Sequence, residues 1–162
     1  TELAADPNDL YRRLKRVEVE LPADFTTPTD WPAMAQRITA HDCVLVIVNS
    51  RADAQELHAL LPAGSLHLSG RMCGAHRSDV IQHIRTRLQQ KREGVDHEPL
   101  RVVSTSLIEA GVDVDFPVVY RAMAGLDSIA QAAGRCNREG RLPGLGQVIV
   151  FVPPRLAPPG LQ

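Results

Sequence analysis

The run Val44-Leu45-Val46-Ile47-Val48 constrains this chain more than any other stretch. Its residues are apolar at consecutive positions and mostly β-branched, so neither face of the extended segment is suited to water. Such a strand belongs in the middle of a parallel sheet that helices cover on both sides. The unbroken apolar run, Cys43 to Val48, is far shorter than the roughly 20 residues a membrane span needs, and no membrane partner is expected. Asn49 and Ser50 follow, and Ser50 is suited to cap a helix over Arg51 to Leu61. That helix would carry Ala54, Leu57, Leu60 and Leu61 at helical spacing.

Other elements follow from the same periodicities. From Leu14 to Leu21 apolar Val17, Val19 and Leu21 alternate with charged residues, which predicts a half-buried strand near an edge, ended by Pro22. Pro32 opens a short helix through Ala40. Ser65 to Leu68 is a short strand, and Ala75 to Gln90 a helix with Val80, Ile81, Ile84 and Leu88 on one face. Leu100 to Ser104 and Gln147 to Val152 are further strands.

Strands alternating with helices predict an α/β, three-layer domain with a mostly parallel central sheet and helices on both faces. Ligands of such sheets sit outside the carboxyl ends of the strands, here the turns after Val48, Ser104 and Tyr120. The expected division is a loosely attached segment over 1–13, one domain over 14–152 and a proline-rich tail over 153–162. A start at Thr1 and a proline-rich end suggest a segment of something longer.

Composition excludes some functions. Lys plus Arg total 18 against 19 Asp plus Glu, so no global field drives the chain onto nucleic acid or an anionic surface, and any phosphate contact is local. Only 4% of residues are aromatic, which argues against base-stacking platforms. Lys15 and Lys91 are the only lysines. The arginine excess suits bidentate anion contacts and is equally what a GC-rich genome produces. Cys43, Cys73 and Cys136 are widely spaced, which suggests neither a disulfide framework nor zinc and points to a reducing compartment, the cytoplasm.

The densest functional signal runs from Val102 to Arg141. Arg135 and Arg138, three residues apart, are predicted on one helix face, where both could meet one polyphosphate or simply pair with carboxylates such as Glu139. Gly134 would lie within that helix, where a glycine suggests a close approach. Thr105 and Ser106 offer hydroxyls and N–H groups to a nucleic-acid phosphate, or cap a helix. Asp113 is suited to accept from a ribose hydroxyl, to orient an arginine, or to serve in a turn. No lysine follows a glycine in a Walker loop and no Asp-Glu pair is present, so a self-sufficient P-loop ATPase is excluded. His41-Asp42 reads as a helix end. His76 and His83 share a face without further ligands, and His58, His67 and His97 are isolated, so no metal site is expected.

Three stretches together resemble the second RecA-like domain of superfamily 2 helicases, and more closely that of the CRISPR-associated type I effector helicase-nuclease. STSLIEAGVDVDFPVVYRAMAGLDSIAQAAGRCNREGR is similar to that family's motif V running into motif VI. VLVIVNSRADAQELHALL is similar to its motif IV strand and helix, and LHLSGRMCGAHR to the segment after it. Coverage is roughly Leu14 to Val152. Ala132 and Asn137 depart from the broad superfamily form of motif VI and agree with the CRISPR-associated form.

The resemblance implies that Arg135 and Arg138 reach a γ-phosphate, Arg138 foremost, with Gln131 lining the same cleft. Gly111 and Asp113 would connect nucleotide to DNA, while Thr105, Ser106, Asn49 and Ser50 would touch single-stranded DNA. ATP and Mg2+ would be held mainly by a first RecA-like domain, with none bound tightly by this segment alone. That domain, a nuclease domain, single-stranded DNA and a CRISPR surveillance complex are the implied partners. Two other functions remain open at this stage: a motor-dead nucleic-acid or protein binding module, and another superfamily 2 repair helicase.

Overall fold

The structure is a computed structural model that describes Asp9, residues 14–109 and residues 111–155. The strands are β1 (Val17–Glu20), β2 (Cys43–Val48), β3 (Leu66–Leu68), β4 (Leu100–Thr105), β5 (Val118–Ala122) and β6 (Gly146–Phe151). The helices are α1 (Trp31–Thr39), α2 (Arg51–Ala59), α3 (Gly74–Arg92) and α4 (Leu126–Ala133), with a 3-10 turn over Ser106–Ile108. The strands form one sheet in the order β1-β6-β5-β2-β4-β3. Every pairing is parallel, so the expected mostly parallel sheet is wholly so among the described residues.

β2 lies between β4 and β5 and is buried from Val44 to Val48, as its two apolar faces require. Val44, Val46 and Val48 join Met34 and Ile38 of α1 and Ala54 and Leu57 of α2 in one core. Leu45 and Ile47 join Ile84 and Leu88 of α3 and Ala132 of α4 in the other. The crossovers from β1 to β2 and from β2 to β3, through α1 and α2, move toward the β3 edge. Those after β3 move back on the opposite face, the arrangement that one crossover hand requires. The chain thus reverses direction at β3, and the connections leaving β2 and β5 diverge onto opposite faces, which opens a crevice at the carboxyl ends of β2, β4 and β5.

Helix starts follow their capping residues. Asp30 caps α1 by accepting from Ala33 N, and Ser50 caps α2 by accepting from Asp53 N, as expected for Ser50. Just past β6, Arg155 pairs with Asp53 at 2.9 Å and with Glu56, whose other oxygen accepts from Trp31 Nε1 at 3.1 Å. Pro153 is buried. The segment 1–13, Asp9 apart, and residues 156–162 of the expected tail lie outside the described residues.

Two expectations fail. β1 is the expected edge strand, but Val19 and Leu21 are exposed, because the covering helices do not extend over that edge. The second concerns Arg135 and Arg138, which do not share a helix face, since α4 ends at Ala133. Gly134 is its C-cap rather than an interior residue. The chain then turns beside residue 116: Phe116 N donates to Arg135 O at 2.9 Å, and Asn137 N donates to Phe116 O at 3.0 Å. Asn137 adopts φ 43°, in the left-handed region. Its buried amide donates to Arg16 O and Gly144 O and accepts from Leu142 N. Gly146 is required beneath this turn, where an added Cβ would lie 2.6 Å from Cys136 Sγ.

Asn137→Ala and Asn137→Gly should both destabilise the domain, through buried groups left without partners. Glycine, which accepts the left-handed backbone, should cost about 1 kcal/mol less than alanine in urea unfolding. A pH dependence should arise between α3 and β4, where Arg87 grips Asp96 through Nε at 2.8 Å and Nη2 at 3.2 Å. The Arg87 hydrogen bonds hold the Asp96 carboxyl down from 3.8 to about 2. Its folded value is the depressed one, so its contribution is full above 3.8 and fades as pH falls through about 2. The stability gap between wild type and Asp96→Asn should therefore be open at pH 5 and closed near pH 2.

Candidate functional site: a phosphate-facing crevice

The crevice collects its polar side chains from the residues just past the strands. Motif V begins at the end of β4: Thr105 is half-buried and Ser106 exposed, and among the described residues neither hydroxyl is engaged. Thr105 makes no side-chain cap bond to the 3-10 turn. Gly111 then takes φ 75°, which an L side chain adopts only with strain, and Asp113 is exposed beyond it. Arg85 of α3 donates to the Asp113 carbonyl at 3.0 Å and fixes that loop against the helix.

Motif VI meets this loop through ion pairs. Arg138 Nη1 lies 2.8 Å from Asp113 Oδ1, with both side chains substantially exposed. The Arg138 backbone is fixed separately, its N–H donating to Asp115 Oδ1 at 2.7 Å, so the side chain is anchored at its root and paired with Asp113 at its exposed tip. Arg135 is more deeply set. Its Nη2 donates to the Glu109 carbonyl at 2.6 Å, while Nε is buried without a partner among the described residues. Burial lowers the Arg135 pKa, and the nearby Arg138 charge lowers it further. The two guanidinium groups thus feel one another across the turn, although no helix face aligns them.

Beneath the crevice lies a charged network that periodicity did not reveal. Arg121, 2% exposed at the end of β5, places Nε 2.7 Å from Oε1 of Glu109, itself 7% exposed. Neither of these two atoms makes a hydrogen bond among the described residues, so the contact is an ion pair. Arg121 Nη1 also donates to Asn49 Oδ1 and to the Ala122 carbonyl, each at 2.7 Å. Burial pushes the Glu109 carboxyl up, with Arg121 and Arg135 pulling the other way.

The candidate DNA-contacting residues divide accordingly. Asn49 is committed inward, since Nδ2 donates to the Met123 carbonyl at 2.8 Å while Oδ1 holds Arg121. Ser50 is committed as the α2 cap and donates to Asp53 Oδ2. Thr105 and Ser106 remain available. Gln131 is exposed on the last turn of α4.

The histidines gain one contact that their separation in sequence concealed. The rings of His58 and His67 lie 5.5 Å apart, so these two are neighbours rather than isolated. Among the described residues no group of three or more His, Cys, Asp or Glu side chains is placed to hold a metal ion. No described helix is long and apolar enough to cross a membrane. His41 is tied to the Tyr120 hydroxyl at 3.0 Å, a structural role for the His41-Asp42 dipeptide.

Comparison with known proteins bears on the family and the fold. A Cas3 protein of Haloferax volcanii, a CRISPR-associated nuclease/helicase, is 54% identical over 56 residues, which are 33% of this chain and 6% of that relative. The ATP complex of T. fusca Cas3 superposes with a TM-score of 0.65 at 21% identity, over 87% of this chain and 18% of that one. A chain of a CRISPR RNA-guided surveillance complex in its pre-nicking state gives 0.62 at 20% identity, over 87% and 19%. The chain therefore spans a small part of these relatives. The family model for the C-terminal region of the CRISPR-associated nuclease/helicase Cas3 matches residues 40–141, across β2, the motif V loop and the motif VI turn, and the chain belongs to that family.

Proposed function

We propose that residues 14–152 form the second motor domain of an ATP-dependent DNA helicase-nuclease of CRISPR type I interference, contributing half of a nucleotide site. The observation that carries this reading is the Arg138–Asp113 pair: a guanidinium fixed by its backbone, exposed at its tip and held in the crevice by an exposed acid. Exposed ion pairs of this kind contribute about 1 kcal/mol or less, so Arg138 leaves Asp113 for a stronger anion at little cost. Arg135 adds a second cation with an unused buried donor.

ATP with Mg2+, bound chiefly by a first RecA-like domain, supplies the reactive phosphoryl group. This chain's own residues then act on charge and position. Arg138 and Arg135 stabilise the negative charge that develops during phosphoryl transfer, and Gln131 and Asp113 border the same opening. Thr105 and Ser106, with free hydroxyls at the end of β4, contact the phosphates of single-stranded DNA. Gly111 lies between the two functions and lets the loop turn, so closure of the motor domains moves both contacts together.

The nuclease domain and a surveillance complex are partners of the longer protein, and the cytoplasm is its compartment. The segment alone should show negligible ATPase activity, because it carries no Walker loop. In the full-length protein, Arg138→Ala should lower kcat for ATP hydrolysis by about 1,000-fold or more while KM for ATP changes only a few-fold. Unchanged turnover would remove Arg138 from the site.

A further inference from the structure

Glu109 and Arg121 are buried, charged and unused by the proposed phosphoryl-transfer chemistry. A buried ion pair is poor evidence of stability, because the cost of desolvating both charges offsets their attraction. Its value here lies in what it holds in place. Residue 109 is gripped at two points: its carboxylate lies 2.7 Å from Arg121 Nε, and its carbonyl accepts from Arg135 Nη2 at 2.6 Å. Arg121 is fixed in turn at the strand ends by Asn49 Oδ1 and the Ala122 carbonyl.

The carbonyl that holds Arg135 therefore cannot swing away without moving a carboxylate tethered to the sheet. This restraint is needed, because residue 109 follows a single 3-10 turn and precedes Gly111, whose left-handed backbone leaves the loop otherwise easy to reorient. Lysine would not replace Arg121, since one ammonium cannot present the Nε and Nη1 directions that reach Glu109 and Asn49 together.

We propose that Glu109 is a positioning residue for Arg135, and that the buried Arg121 makes it one by locking residue 109 to the carboxyl ends of β2 and β5. The inference rests on the reading of Arg135 as a phosphate-facing group. Glu109 touches no nucleotide. It fixes the direction from which the Arg135 guanidinium enters the crevice, and its loss is felt in turnover rather than in substrate affinity.

The test is steady-state ATP hydrolysis by the full-length helicase-nuclease with single-stranded DNA present. Glu109→Gln should lower kcat by roughly 10- to 100-fold, the effect of misplacing a catalytic group, with KM for ATP within about twofold. Combined with Arg135→Ala, it should add less than about threefold to the loss caused by Arg135→Ala alone, as expected when one residue acts through the other. Multiplicative losses, or a wild-type kcat in Glu109→Gln, would overturn the proposal.

If Glu109→Gln does not fold, the pair Glu109→Gln with Arg121→Met removes both buried charges and relieves the unpaired one. A normal melting temperature with reduced kcat in that pair supports positioning, whereas wild-type kcat refutes it. A normal kcat in Arg135→Ala would instead defeat the phosphate-facing reading and this inference with it. A slow Arg135→Ala beside a normal Glu109→Gln would defeat the inference alone.

Discussion

The parallel pairing of β2 with β4 on one side and β5 on the other is the constraint on which the rest depends. A strand buried on both faces can be satisfied only by two helical layers. Two layers joined through crossovers of one hand make the connections that leave β2 and β5 diverge onto opposite faces. The divergence leaves the ends of β2, β4 and β5 around one crevice, and these ends carry Asn49, Thr105 and Arg121. The polar groups meet because an apolar pentapeptide demanded cover.

On that base, motif VI works as a turn laid across a loop. The bonds between residue 116 and residues 135 and 137 bind it to the segment before β5, and the absence of a side chain at Gly146 lets it sit close to β6. The backbone of this turn is thus rigid where its arginines leave it. A backbone fixed in this way sets the direction from which each guanidinium leaves the turn.

Much of the architecture was legible in the sequence because each signal was local. The run from Val44 to Val48, the Ser50 cap and the helical spacing from Val80 to Leu88 all report on their own segment. What stayed hidden needed non-local information. Asn137 breaks no propensity rule strongly enough to reveal a left-handed turn, so arginines at i,i+3 were indistinguishable from a helix face. Arg121 follows Val-Val-Tyr, where an arginine ordinarily marks a strand emerging into water, and Glu109, twelve positions earlier, together with Asn49 allows it to stay inside. The exposure of Val19 and Leu21 was equally invisible, since alternation reports two faces of a strand without saying whether either is covered. The division of the candidate residues into inward-tied Asn49 and Ser50 and Thr105 and Ser106 with unengaged hydroxyls depends on contacts that no local pattern carries.

The pairing of Arg138 with an exposed acid and of Arg135 with a buried carbonyl divides the two arginines by how they respond to their medium. Charge pairs open to solvent weaken as salt shortens the reach of the field, whereas a hydrogen bond withdrawn from water is nearly indifferent to it. Ionic strength therefore acts on one arginine and spares the other. As salt rises, Arg138 spends more time away from Asp113 and Arg135 stays where it is, so the availability of the exposed guanidinium is a property of the solution as well as of the fold.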